Sequence, residues 1–375
     1  MESRADLVEL KEDTSAQPVQ YYARLRSRPS PQKESILFIK KRNESSAEFK
    51  LRTPKNKPTS ILKYAFFPNL GDTYRQLGEL ALSEKWFFGP VPPNNFYYPI
   101  LKNYLEYTFI RLQYENKVVV SENGDYSAFN TGLVDLKYEP IHILFGRDKQ
   151  GRPQNWYFIS ACILGEGREG KTLSEQFGRL KSANYFDRPD EMFYDIHANS
   201  PEVDWRHILE DNPDRLPLSF LQENCPAGFV PRNPGSFSKT EREDYKREFA
   251  AALNQDSPAY RKIIDRCQSA LNFALLRTQL NYRTAVPFYN PRKNRLQLML
   301  PLSLVNDDSV DCVLVVDRSQ PSSPYIGHTI LPLQWAYSNA RLIGQLETPW
   351  LSSNMTISSA ATEFDTGSEL EDEEE

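Results

Sequence analysis

Two histidines near the middle of the chain are the residues best suited to proton transfer. His197 and His207 lie in the acid-rich stretch FYDIHANSPEVDWRHILED, with Asp195 and Asp204 close by in sequence. An imidazole exchanges a proton near neutral pH, and a neighbouring carboxylate can orient the ring, so such a pair is suited to acid–base chemistry. The alternative is that both histidines are exposed or structural. The chain lacks the Cys and His spacing typical of zinc sites, so we predict no metal site.

A second set of side chains is suited to nucleic-acid contact. Residues 20–63 contain twelve lysines and arginines and three acids, a net charge of +9, with aromatic residues among the bases. Aromatic rings stack on unpaired bases, and basic groups contact phosphates. The alternative is a solvated strand edge whose aromatic residues belong to the core. The predicted nucleic-acid contacts are Tyr22, Arg24, Arg26, Phe38, Lys40, Lys41 and Arg42.

The C-terminal end of the chain has the opposite charge. Residues 363–375 contain eight acids and no base. A run of carboxylates resembles the charge of a phosphate backbone, so this tail could compete with RNA for the basic segment. Both charged tails could also bind protein partners.

Polar residues further along the chain could line a pocket. The tripeptide Asn130-Thr131-Gly132 falls in a predicted strand, where glycine often marks a bulge or a close backbone approach. The last predicted helix contributes a tyrosine and an arginine. Purely structural roles are the alternative. The pocket candidates are Asn130, Thr131, Gly132 and Tyr337, and Arg283 and Arg341 join the two histidines as catalytic candidates.

The stretch GEGREGKT at residues 165–172 has the glycine spacing of a dinucleotide-binding loop and follows a predicted strand. Two acids, Glu166 and Glu169, lie within it and would repel a phosphate. We therefore interpret it as a charged surface turn. The sequence identifies no cofactor.

The predicted elements that carry these residues alternate between helix and strand. Asp72 is a plausible cap for one helix, a second opens at Pro99, and a third runs from Ser257 to Leu280. Apolar runs between and after them predict strands, and Asn123-Gly124 is a hairpin signal. This pattern favours an α+β fold in which an antiparallel or mixed sheet is flanked by helices, with a short basic β-rich segment at the N-terminus.

Composition and charge divide the chain of 375 residues into four parts. We predict a disordered tail at 1–19, the basic β-rich segment at 20–60, the main α+β domain at 61–350 and a disordered acidic tail at 351–375. The four cysteines are widely spaced, so a disulfide framework is not expected. No apolar run reaches about 18 residues, and the N-terminus lacks the pattern of a signal peptide. We expect a cytoplasmic protein without a membrane partner.

Several strings resemble an uncharacterised bacterial and fungal family, domain of unknown function 3825. They are LKNYLEYTFIRL (101–112), AFNTGL (128–133), LNYRTAVPFY with LMLPLSL (280–304), and TILPLQWAYSNARLI (329–343) with Trp350. Members of this family resemble parts of larger proteins that carry LOTUS-type RNA-binding modules. The resemblance implies a setting in RNA metabolism or defence but assigns no catalytic residue.

Three functions remain open at this point. The first is an RNA-binding or RNA-processing accessory protein that binds single-stranded RNA through the basic-aromatic segment. The second is an enzyme that acts on nucleotides or RNA ends through the polar pocket. The third is a protein-interaction scaffold.

Overall fold

The chain forms two units, residues 1–58 and 59–375. The computed structural model describes residues 5–13, 20–27, 34–39, 60–89, 98–185, 188–291, 293–346 and 350–351.

The first unit contains a three-stranded antiparallel sheet in the order β1–β2–β3. Its strands are β1 (Ala5–Asp13), β2 (Gln20–Ser27) and β3 (Glu34–Ile39). Strand β1 lies in the segment for which the sequence predicts a disordered tail. Its register with β2 places Asp6 opposite Arg26 and Glu9 opposite Arg24. Opposite charges on paired strands favour such a register.

The second unit mixes helices with short and long strands. Its strands are β4 (Ala65–Phe66), β5 (Val119–Val120), β6 (Tyr126–Val134), β7 (Pro140–Arg147), β8 (Trp156–Ile163), β9 (Glu202–Val203), β10 (Val286–Asn290), β11 (Arg295–Leu302), β12 (Cys312–Asp317) and β13 (Ile326–Pro332). Its α-helices are α1 (Ile61–Tyr64), α2 (Leu70–Leu80), α3 (Pro99–Tyr114), α4 (Gly167–Gln176), α5 (Trp205–Asp211), α6 (Leu218–Asn224), α7 (Lys239–Gln255), α8 (Ser257–Leu280) and α9 (Leu333–Ala340). Short 3-10 helices occupy Pro189–Met192, Pro213–Arg215, Pro234–Ser236 and Tyr282–Thr284.

The strands of this unit form two five-stranded mixed sheets. We call the sheet β4–β8–β7–β6–β5 the first sheet and β10–β11–β12–β13–β9 the second sheet. Most pairs are antiparallel, whereas the two-residue strands β4 and β9 pair in parallel with β8 and β13. The predicted α+β fold with a mixed sheet flanked by helices is therefore confirmed.

One hydrophobic core joins the two sheets. Phe145 of the first sheet and Met299 of the second belong to the same buried cluster as Leu105 of α3 and Ala336 of α9. Helices α5 to α8 pack on the other face of the second sheet, where Leu271 and Leu300 are fully buried. The other face of the first sheet carries only a small cluster, in which Leu173 of α4 packs with Ala128 and Leu144.

Several helix boundaries follow from local capping. Helix α3 opens at Pro99, and α8 runs from Ser257 to Leu280, as the sequence predicts. Helix α2 begins earlier than expected, because the side chain of Asn69 accepts a hydrogen bond from the backbone N–H of Asp72. Asp72 lies in the first turn and is not the cap.

Four of the described α-helices, α1, α4, α6 and α7, were not predicted. Helix α7 has a capping box, in which Ser238 and Glu241 bond each other's backbone N–H, but its largely polar sequence hid the apolar stripe. Helix α4 starts inside the glycine-rich stretch that the sequence suggested was a turn. Among the described residues, no helix is both long and apolar enough to cross a bilayer.

Candidate functional site

A row of aromatic residues crosses one end of the first sheet. Cross-strand pairing places Tyr126 of β6 opposite Gly146 of β7, and Gly146 opposite Tyr157 of β8. Phe66 of β4 is the partner of Tyr157 on the other side. Tyr126 packs against the cluster that α4 covers, so the row lies on that face of the sheet, beyond the reach of the helix. We call the aromatic residues Phe66, Tyr157 and Tyr126, together with Gly146 between the two tyrosines, the aromatic row.

The glycine in this row lets a tyrosine ring lie close to the sheet. A Cβ atom at Gly146 would come within 2.6 Å of Cζ of Tyr157 and 2.7 Å of its hydroxyl oxygen. The Tyr157 ring therefore occupies the space where a side chain of β7 would stand. It remains 37% exposed, although it rests on the strand. A ring held on one side and open on the other is a surface on which a planar group can stack.

An arginine extends the row over β4. The guanidinium carbon of Arg152 lies 4.1 Å from the centre of the Phe66 ring. The same guanidinium donates a hydrogen bond of 2.5 Å to Asp148 and another to Gln150. Burial of Asp148 acts to raise its pKa, but hydrogen bonds from the backbone and guanidinium of Arg152 outweigh this and lower it. Arg152 is thus fixed by an aromatic ring and a charged carboxylate.

The aromatic row lies in a groove of about 560 Å³ whose lining also includes basic side chains. Lys149 is exposed there, and within the described part of the chain it forms no ion pair. Arg147 also lines the groove and is exposed, and its guanidinium lies 5.4 Å from the ring of Trp156. The lining consists of Phe66, Pro68, Asp125, Tyr126, Gly146, Arg147, Asp148, Lys149, Gln150, Arg152 and Tyr157. Exposed aromatic surface beside unpaired cations is the combination that binds single-stranded nucleic acid.

A second cavity, of about 160 Å³, lies at one end of the second sheet and differs in its electrostatics. Its arginines are neutralised by carboxylates: Arg188 pairs with Asp190, Arg295 with Asp317 and Arg318 with Asp195. These pairs leave little positive field for an anion.

Asp317, on the wall of this second cavity, has its hydrogen-bonding capacity occupied. It bonds Nε2 of His328 at 2.6 Å, accepts from Arg295 at 2.6 Å and also accepts from Gln297. Burial acts to raise the pKa of Asp317, yet the bonds from His328 and Gln297 and the charge of Arg295 lower it. We therefore interpret this carboxylate as a structural anchor between β11, β12 and β13.

The predicted pocket residues of β6 have internal partners. Asn130 donates to the carbonyl of Leu180, and Thr131 donates to the carbonyl of Ile141. The hydroxyl of Tyr104 donates to the carbonyl of Thr131 at 2.9 Å and lies 2.8 Å from where a Cβ at Gly132 would stand. Gly132 has φ +79°, in the region that favours glycine.

Tyr104 also contacts Arg341, at the end of the last helix, α9. The guanidinium of Arg341 lies 4.9 Å from the Tyr104 ring and 5.0 Å from the Trp86 ring, and it makes two hydrogen bonds to Glu84. Tyr337 packs edge-on against Phe88. The structure thus connects Thr131, Gly132 and Arg341 through Tyr104, in the interior. Neither cavity described above is lined by Asn130, Thr131, Gly132, Tyr337 or Arg341.

The remaining catalytic candidates lie on the surface. His207 pairs with Asp211 one turn along α5, and both side chains are more than half exposed. The backbone N–H of His197 bonds the carboxylate of Asp195. Arg283 stacks on Tyr282, its neighbour in sequence. None of the contacts described for these residues joins one to another, and their catalytic role stays a prediction.

Some of the predicted N-terminal contact residues lie in the described strands β2 and β3, and the others do not. Tyr22, Arg24 and Arg26 occupy alternate positions of β2, and Phe38 in β3 is the register partner of Tyr22. Lys40, Lys41 and Arg42 lie outside the residues that the structure describes. In the part that is described, no three His, Cys, Asp or Glu side chains come together as metal ligands.

Sequence reasoning did not find the aromatic row. Tyr157 follows the buried Trp156 directly, and strand alternation alone would have placed the two rings on opposite faces. The stretch RDKQGRPQN before it has the composition of an exposed turn. The missing information was the cross-strand register, which brings Phe66 and Tyr126 beside Tyr157.

Comparison with known proteins establishes the family. The chain belongs to the family described as Domain of unknown function (DUF3825), whose model matches residues 77–350. This range includes β5 to β8, and with them Tyr126, Gly146, Arg152 and Tyr157. No curated protein and no solved structure matches the chain.

Proposed function

We propose that this protein binds single-stranded RNA through the groove at the end of its first sheet. The observation that carries the proposal is the Tyr157 ring, which rests on Gly146 and leaves its outer face open in a groove with Arg147 and Lys149. Bases of an unpaired strand stack on such rings, while the cations contact the phosphates. A duplex hides its base faces, so the site favours unpaired RNA.

A Tyr157→Ala variant is expected to bind a single-stranded RNA octamer about 5- to 150-fold more weakly than the natural protein, the equivalent of one lost stacking contact. Fluorescence anisotropy with a labelled oligoadenylate at fixed salt measures the change. Tyr157→Phe keeps the ring and should retain most of the affinity.

Tyr138→Ala is the matched control for this experiment. Tyr138 is 74% exposed and lies in the turn between β6 and β7, outside the groove. Its loss should leave affinity within twofold of the natural protein. Equal affinities of the Tyr157→Ala variant and the natural protein would contradict the proposal.

The N-terminal basic segment would add phosphate contacts to the same RNA. This part of the proposal rests on the net charge of +8 of residues 20–60 and on the alternation of Arg24 and Arg26 along β2. In the register of β1 with β2, Glu9 is the partner of Arg24 and Asp6 the partner of Arg26.

Replacing Arg24, Arg26 and Lys41 by Gln in the full chain should flatten the salt dependence of RNA binding. Each phosphate contact to a single strand contributes about 0.7 to the slope of log affinity against log salt, so three lost contacts change it by about 2. Titrations at several salt concentrations give the slope. An unchanged slope would remove the segment from the interface and leave the groove as the binding site.

We propose RNA metabolism in the cytoplasm as the setting of this function. The resemblance implies LOTUS-type RNA-binding modules beside related domains, and that association supports a role as an accessory protein. The same titrations with duplex RNA would test the preference for unpaired strands.

A further inference from the structure

We infer that Arg152 forms a second stacking surface beside Tyr157, so that the groove takes two consecutive unpaired bases. The inference rests on the proposed function and identifies the ligand as a single strand with at least two adjacent bases. In this binding Arg152 stacks on a base, whereas Arg147 and Lys149 contact phosphates.

The position of Arg152 over Phe66 is the first argument. The guanidinium carbon is 4.1 Å from the ring centre, which is a van der Waals distance, so one face of the guanidinium is covered by the ring. The side chain of Arg152 is 28% exposed, and it lines the groove. Planar guanidinium groups stack on bases as aromatic rings do.

The hydrogen bonds of Arg152 are the second argument. Its guanidinium donates to Asp148 and Gln150, and its backbone N–H also donates to Asp148 at 3.1 Å. These bonds lie at the edge of the guanidinium and restrict its rotation. A side chain fixed before binding loses less conformational entropy when a base stacks on it. Its charge is already compensated by Asp148, which makes it a poorer phosphate contact than Lys149.

The strand register is the third argument. Phe66 and Tyr157 are paired residues on neighbouring strands, so their backbones are about 4.8 Å apart. The Tyr157 ring extends over Gly146, away from Phe66, so the two stacking surfaces are separated by one to two strand spacings, roughly 5–10 Å, a distance that neighbouring nucleotides of an unstacked strand can span. Tyr157 would hold one base and Arg152, supported by Phe66, the next.

An Arg152→Lys variant tests the inference, because lysine keeps the charge and removes the plane. With oligoadenylate octamer, we expect affinity to fall at least about 5-fold, while the slope of affinity against salt stays that of the natural protein. Natural affinity in this variant would overturn the inference, because a charge alone would then suffice.

A second ligand separates stacking from damage to the turn. An octamer of abasic nucleotides keeps every phosphate and has no base to stack. At low salt, Arg152→Lys and the natural protein should bind it equally. An equal loss with both octamers would overturn the inference in favour of a distorted 148–152 turn.

Failure of the inference can be told apart from failure of the proposed function. If Tyr157→Ala weakens binding and Arg152→Lys does not, the groove binds RNA with one stacked base and the second surface is refuted. If the natural protein binds neither octamer, both are refuted.

Discussion

Replacing Arg341 by Met is expected to destabilise the protein by about 3–5 kcal/mol, because it leaves a buried carboxylate without its cation. Arg341 and Glu84 are 9% and 7% exposed, and two hydrogen bonds of 2.6 and 2.7 Å join them. Burial acts to lower the pKa of Arg341, but the bonds and charge of Glu84 outweigh it and raise the pKa. Urea unfolding followed by far-UV circular dichroism measures the loss.

Two variants show whether the isolated charge is the cause. Arg206→Met breaks a more exposed ion pair, with Glu210 on the surface of α5, and should cost at most about 1 kcal/mol. The double change Glu84→Leu with Arg341→Met removes both charges and should recover much of the stability. If the double variant is no more stable than Arg341→Met, the loss comes from packing against Tyr104 and Trp86.

Replacing Gly170 by Ala is expected to cost about 3 kcal/mol, although alanine normally stabilises a helix. Gly170 lies in α4 where the helix approaches β8, and a Cβ there would come 2.1 Å from the carbonyl oxygen of Ile163. This atom belongs to the backbone, so relief requires a shift of the helix or of the strand. The urea midpoint and the protease sensitivity of α4 report the change.

Gly78→Ala is the matched control, because Gly78 also lies inside a helix. Its Cβ would stand 3.4 Å from Trp86 and 3.6 Å from Leu101, at ordinary contact distance. This variant should gain up to about 1 kcal/mol from helix propensity. A similar loss of stability in both variants would mean that the close approach of α4 to Ile163 does not explain the need for glycine at position 170.

The sequence predicts the framework of this protein better than its surface. Long apolar stripes and a proline in the first turn predicted α3 and α8, because these signals are local. Helix α7 was missed since Tyr245, Phe249 and Leu253 are its few buried residues within a polar sequence. Helix α4 was missed because its glycines are typical of a turn, and the close approach of Gly170 to β8 depends on tertiary structure.

The groove illustrates why a site on a sheet is difficult to predict. Phe66 and Tyr126 are separated from Tyr157 by 91 and 31 positions in sequence, and no local periodicity relates them. The predicted pocket residues were brought together in part, but the strings that contain them meet in the interior, where Tyr104 of α3 connects β6 to the end of α9. Strings shared within a family identify packing as readily as binding.

The shared core between the sheets has a consequence for the protein during its synthesis. Ile61, near the start of the second unit, and Leu351, the last residue that the structure describes, are both fully buried in the same cluster. A nascent chain that has emerged only as far as the first sheet exposes the apolar face of that sheet to solvent. The native core cannot close until residue 351 leaves the ribosome, so the growing chain is a natural client for chaperones that shield apolar segments.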